Sequence, residues 1–145
     1  MSVIALDSSS MVAAVCSWHE RHAVVAADIE RRLDTRRSRL AIPAHALVEA
    51  YAVLTRLPAP HRVAPADAWA LLMANFVQPA EVMALEGPAH AALLARLAAA
   101  GTGGGRTYDA LIAEQAAIAG ADVLLTLNPR HFESPPRGVT VIEPR

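Results

Sequence analysis

A chain of 145 residues with 54% apolar content carries enough hydrophobic side chain for one domain around one core, which excludes a disordered segment. Thirteen basic and fourteen acidic residues leave a formal net charge of −1, excluding a broad electrostatic case for nucleic acid or an anionic membrane. The single cysteine, Cys16, excludes an internal disulfide and a cysteine-based zinc site.

Every basic residue is arginine. Arginine suits bidentate phosphate contacts, but a compositional bias towards Arg and Ala is the simpler account. Cys16 lies among Val and Ala and reads as a small apolar packing residue. No positively charged leader precedes the first apolar run, and no stretch is long enough to span a bilayer. The chain reads as a cytoplasmic protein of one domain, residues 1–145.

In chain order, residues 3–6 predict a short buried strand, and residues 8–16 a helix starting on the serines. A second helix is expected from about His19 to Leu33, with Val24, Val25, Ile29 and Leu33 on one face. DTRRSR reads as a polar loop and LAIP, residues 40–43, as a second strand. A helix over Ala44 to Arg56 is broken by the prolines of LPAPHRVAP. Pro65 and Asp67 open a helix through about Phe76. VMAL follows as a third strand, and residues 86–100 as a helix ended by Gly101. GTGGGR is a flexible loop. Thr107 is the expected cap of a helix over 108–119, and DVLLTLN and VTVIE supply strands four and five. Strands alternating with helices predict a parallel α/β sandwich.

Ligands in such a sheet gather at the carboxyl ends of the strands. Asp7 follows the first strand and Asn128 the fourth, while Asp109 opens a late helix after the glycine loop. Glu49 sits inside LVEAYAVL, an expensive place for an acid without a partner. Each has a plainer role open to it: Asp7 as a helix cap, Asp109 as a dipole partner, Glu49 as half of an ion pair, Asn128 as a turn residue before Pro129. Several carboxylates at one sheet edge repel one another unless a divalent cation lies between them. Oxygen ligands point to a hard ion, Mg²⁺ or Mn²⁺, and such an ion suits phosphoryl chemistry.

Four stretches, IALDSSSMVAAV, IPAHALVEAYAVLTRLP, GGRTYDALIAEQAAIAGADVLLTLNPRHF and VTVIEP, make the chain resemble a PIN-domain protein, most closely a VapC-type toxin of a type II toxin–antitoxin pair. The resemblance implies a PIN-like three-layer α/β/α sandwich with a mainly parallel, roughly five-stranded sheet, and a Mg²⁺-dependent endoribonuclease. It matches the family's acids to Asp7, Glu49 and Asp109, and a small polar residue to Ser9. Many members carry Asp where this chain has Asn128, so this residue is expected to touch the ion weakly or through water. Asp122, at the start of a strand and the wrong end of the sheet, is set aside.

The implied reaction is in-line attack of water on a phosphodiester of single-stranded or looped RNA, leaving a 5′-phosphate and a 3′-hydroxyl. Ser9, Thr126 and Asn128 would orient waters or ligands, with Glu114 a weaker source of charge, and Arg106, Arg130 and His131 would line the rim and touch substrate. The implied partners are an RNA substrate, a cognate VapB-type antitoxin and a second copy of the chain, with operator DNA reached only through the antitoxin. The alternative is a non-catalytic PIN-like module that binds RNA or a protein. A phosphatase or receiver domain is disfavoured because Asp-Ser-Ser replaces Asp-x-Asp. GTGGGR lacks the Lys-Ser/Thr ending of a phosphate loop. His19 and His22 have no third ligand and are expected at the surface. Trp18, Trp69 and Tyr51 are expected in the core or an interface rather than as base-stacking rings.

Overall fold

The structure, a computed structural model, describes residues 2–35 and 37–145. Arg36, in the expected DTRRSR loop, lies outside the described residues. Among the described residues, five strands form one sheet in the order β3-β2-β1-β4-β5, with all four pairings parallel. They are β1 (Ser2–Leu6), β2 (Ser38–Pro43), β3 (Glu81–Met83), β4 (Val123–Leu125) and β5 (Thr140–Ile142). The α-helices of the described residues are α1 (Ser8–Val15), α2 (His22–Leu33), α3 (Ala44–Arg56), α4 (Pro65–Leu72), α5 (Gly87–Ala100) and α6 (Arg106–Ile118). This is the parallel α/β sandwich expected from the alternation of short apolar runs with longer helical ones.

The central strands are continuous apolar runs because a parallel sheet is covered on both faces. Ile4, Leu6, Ile42, Leu124 and Leu125 are fully buried, joined by Met11, Leu54, Leu72 and Ile112 from the helices. Cys16 is a buried free thiol within this core, as expected of a small apolar residue.

The strand order locates the functional edge. From β1 the chain moves outward through β2 to β3, and then α5 and α6 carry it back to β4 on the other side of β1. The connections leaving neighbours β1 and β4 therefore diverge, and a crevice opens between them at the carboxyl ends of the strands. The pairing Leu6↔Leu125 sets these two ends level. The next residues, Asp7 and Thr126, meet in that crevice. Asp122, at the opposite end of β4, accepts the Val3 backbone N–H at 2.8 Å and pins β1 from below.

Several boundaries differ from expectation for local reasons. Asp7, not a serine, is the N-cap of α1. The second helix starts at His22, because residues 16–22 form two successive turns, His19 N to Cys16 O and His22 N to His19 O. His19 and His22 serve locally: His19 Nδ1 accepts the Arg21 N–H, and His22 Nδ1 lies 2.9 Å from Ala13 O. The α-helix expected through Phe76 ends at Leu72 and continues as one wide turn over Met73–Val77, closed by Gln78 N to Met73 O. Gly101 ends α5 with φ 72°, a conformation costly for any side chain. Thr107 does not cap α6. Gly104 (φ 62°) turns the chain earlier, so Gly105 is the cap and Thr107 lies in the first helical turn.

Of the two placements expected for Trp18, Trp69 and Tyr51, the core or an interface, the core is corrected. All three are exposed, because the sheet is already covered by Leu, Ile and Ala from short crossovers, leaving no space for large rings. Trp18 instead lies flat on His61, with centroids 4.0 Å apart. Among the described residues, no helix is long and apolar enough to cross a membrane.

Candidate active site

Asp7 is placed by two elements at once. As the N-cap of α1, its Oδ1 accepts the Ser10 N–H at 3.0 Å and the Ser9 hydroxyl at 2.7 Å. Its Oδ2 accepts the Thr126 hydroxyl at 2.5 Å. Further bonds lock the turns after β1 and β4 together: Asp7 N to Leu125 O, Ser10 Oγ to Leu125 O, and Leu127 N to Ser9 Oγ, while Asn128 N to Thr126 Oγ1 closes the second turn on itself. The carboxyl is buried, and burial pushes its pKa up; the hydrogen bonds from Thr126, Ser9 and Ser10 pull the other way without cancelling it.

Glu49 comes from α3. Its Oε1 accepts the Ser8 hydroxyl, and His45 Nε2 lies 3.4 Å from Oε2, one helical turn away. Pro43, which precedes α3, offers no side-chain cap. Gln115 of α6 does that work from across the packing: its buried Oε1 accepts the His45 N–H at 3.0 Å. The helix carrying Glu49 is thereby tied to the helix carrying Asp109.

Asp109 lies in the first turn of α6, where the positive end of the helix favours an acid. It opens onto a cleft lined by Glu49, Gly105, Arg106, Tyr108, Asp109 and His131. Arg106 Nη1 and His131 Nδ1 each stand 3.8 Å from its Oδ2. Its pKa is raised, chiefly by burial; Glu49 adds to the rise, while His131, Arg106 and His45 oppose it.

The structure thus brings Glu49 and Asp109 to one cleft, with Arg106 and His131 on its rim. Asp7, Ser9 and Thr126 form a hydrogen-bonded group at the switch point, joined to Glu49 through the neighbouring Ser8. Asn128 lines a second cleft with Ser8, Ser9, Trp18 and Arg21. Arg130 is exposed and lines neither cleft. Glu114 is not brought to the site. Five residues past Asp109 it has turned about 140° too far, and its Oε1 accepts Arg96 Nη2 at 2.8 Å on the α5 side. Ser8, His45, Tyr108 and Gln115 were not singled out from sequence. The i,i+4 spacing of His45 and Glu49 was the available signal for the first contact; the others depend on how α3 meets α6.

The family model of the PIN domain matches residues 4–137. The chain is 38% identical over 122 residues to ribonuclease VapC40 of Mycobacterium tuberculosis, covering 84% of each protein. The chain belongs to the VapC ribonuclease family of PIN-domain proteins. Ribonuclease VapC27 of the same organism is 38% identical over 114 residues, covering 79% of this chain and 77% of VapC27. In fold, this VapC-family chain matches the crystal structure of VapBC2 from Rickettsia felis bound to a promoter DNA fragment, with TM-score 0.68, 18% identity and 99% of each chain covered. It also matches M. tuberculosis VapC20, a sarcin–ricin-loop-cleaving toxin, with TM-score 0.64, 16% identity, and 83% and 86% covered.

The donor set fits a hard divalent cation. Among the described residues no group of three or more His, Cys, Asp or Glu side chains is placed to hold a metal ion together. Mg²⁺ does not require three, since it is commonly held by one or two carboxylates and keeps several waters. Glu49 and Asp109, lining one open cleft, offer two such oxygen donors. A carboxylate offers about four acceptor sites, and the Oδ2 of Asp7 carries one hydrogen bond, so its charge and one acceptor site remain available.

Proposed function

We propose that this chain is a Mg²⁺-dependent endoribonuclease toxin, one PIN domain over residues 1–145, acting in the cytoplasm and silenced by a cognate VapB-type antitoxin. The observation that carries the reading is that two carboxylates, Glu49 and Asp109, line one open cleft, and that Ser8 ties Glu49 to the turn carrying a third, Asp7, which is buried at the switch point and has no charged partner among the described residues. Mg²⁺, or Mn²⁺ in its place, would be held by Glu49 and Asp109 with Asp7 behind them, and when bound would neutralise phosphate charge and ease ionisation of water.

The chain's own residues divide the remaining work. Thr126, Ser9 and the Ser10 N–H fix the Asp7 carboxylate. Ser8 holds Glu49 in register with that group. Arg106 and His131 stand at the rim, where they can meet a phosphate oxygen. Asn128 contributes from the second cleft, where its neutral amide adds no charge to the acidic edge. Arg130 reaches substrate only outside both clefts. The helices α3 and α4 pack together and expose Val48, Tyr51 and Trp69, which suits pairing with a second copy. Operator DNA is reached through the antitoxin.

The test is cleavage of a mixed RNA pool by the purified chain in Mg²⁺ or EDTA, beside Asp7→Ala. Defined fragments bearing 5′-phosphates, requiring both the ion and Asp7, are expected. Their absence from a folded, antitoxin-free protein, with RNA still bound, would replace this reading by a non-catalytic binding module.

A further inference from the structure

Tyr108 stands at the lip of the Glu49–Asp109 cleft with 54% of its surface exposed. One face of its ring is occupied. It lies on the imidazole of His45, with centroids 5.0 Å apart and planes 3° from parallel. That stack is held from both sides. The His45 backbone is tied to α6 through Gln115, its Nε2 is 3.4 Å from Glu49, and Tyr108 is the immediate neighbour of Asp109. The exposure of Tyr108 therefore falls on the face and edge that His45 does not cover, beside both carboxylates. A fixed, flat, neutral surface next to the reacting centre contributes nothing to the core and is poorly explained by packing.

The cleft needs such a surface. Glu49 and Asp109 are committed to the cation, and among the described residues Arg106 is the one arginine left in the lining to meet a strand. The chain has no surplus of positive charge to add to it. Unpaired bases offer the alternative, because each has a π face, and aromatic rings bind them with little regard to sequence. We propose that the outer face of Tyr108, backed by His45, is the platform on which one unpaired base stacks beside the scissile phosphate. This deepens the ribonuclease reading above and rests on it. It is particular to Tyr108. Trp69 is also exposed but lines neither cleft, and Trp18, stacked on His61, lines the cleft of Asn128.

The experiment has two arms. In a cleavage-dead Asp7→Asn parent with Mg²⁺, binding of a short single-stranded oligoribonucleotide carrying 2-aminopurine is followed by fluorescence. In the otherwise wild-type chain, steady-state cleavage of the same RNA is measured. Stacking is expected to quench the 2-aminopurine. Tyr108→Ala should abolish the quench, weaken binding about tenfold or more, and raise KM far more than it lowers kcat. Tyr108→Phe and Tyr108→Trp should retain both signals, and Trp69→Ala should behave as the parent. Unchanged binding and quench in a folded Tyr108→Ala protein, with cleavage intact, overturns the platform alone. Equal loss in Tyr108→Phe overturns it in favour of a hydroxyl contact. No binding by the parent and no cleavage by the wild-type chain overturns the platform together with the nuclease reading.

Discussion

Asp7 and Asp28 are both buried acids, and the protein treats them in opposite ways. Asp28, on α2, is fully enclosed. Its Oδ1 accepts Arg31 Nη2 at 2.5 Å and Arg32 Nε at 2.9 Å, and its Oδ2 accepts the Arg145 N–H at 3.1 Å. Asp7 is 5% exposed and is held by hydroxyls and one amide, all neutral. Burying a carboxylate is costly unless it is both hydrogen-bonded and paired. Asp28 has both forms of compensation and closes α2 onto the end of the chain. Among the described residues Asp7 has only the first, and burial raises its pKa. An acid that the fold immobilises yet leaves without a counter-charge is suited to a cation from outside.

The largest expected effect follows from removing that unpaired charge. Asp7→Ala should reduce RNA cleavage by about a hundredfold or more, on the scale of losing one electrostatic contact to a transition state, while circular dichroism shows an intact fold. Asp28→Ala should do the reverse. Cleavage per folded molecule should stay near wild type, while denaturant unfolding shows a loss of about 1–3 kcal/mol from the broken charge-assisted bonds. Arg31 and Arg32 are partly exposed and can return to water, which keeps the loss below that of a fully enclosed pair. If Asp28→Ala removed cleavage and Asp7→Ala only stability, the division drawn between the two acids would be wrong.

A smaller effect sharpens the same contrast through pH. Asp7 has its folded pKa above its unfolded one, so the native state binds more protons between the two values. The stability that Asp7 contributes is therefore fully present below the ordinary carboxylate range and is lost as pH rises through that window. Asp7→Asn cannot ionise and escapes the loss. In EDTA it should melt above wild type at neutral pH, and the advantage should vanish on acidification below the ordinary carboxylate range. Melting curves for the two proteins across that range measure it. A constant difference at all pH values would mean that packing, not charge, separates them.

These contrasts also show what could be read from the chain alone. The order of strands and helices was legible because short apolar runs alternate with proline- and glycine-bounded helices, and parallel pairing then follows. Asp7 and Asp109 were legible as edge residues, since one ends a strand and the other opens a helix. Glu49 needed the family resemblance, because a single acid among apolar neighbours does not announce which way a helix turns it. Helix starts at His22 and Arg106 were missed because tight turns at Cys16 and Gly104 are local geometry with weak sequence marks. Gln115 and the His45–Tyr108 stack were illegible for a different reason. Their partners lie on separate helices, 70 and 63 positions apart, and only tertiary packing joins them.

The smallest expected effect concerns Asn128, where many relatives in the resemblance carry an acid. It lines the cleft of Ser8 and Ser9 rather than that of Glu49 and Asp109, and its backbone N–H is bound to Thr126 Oγ1, the hydroxyl that also holds Asp7. Asn128→Asp would add a second charge near Asp7 without adding a cation. In the absence of metal it should lower the melting temperature by a degree or two, about half a kcal/mol, because like charges repel. With Mg²⁺ or Mn²⁺ present, the difference should shrink or reverse as the ion neutralises both acids, a shift that melting curves with and without metal would record. A destabilisation unaffected by metal would separate Asn128 from the ion and leave Glu49, Asp109 and Asp7 as the acids of the site.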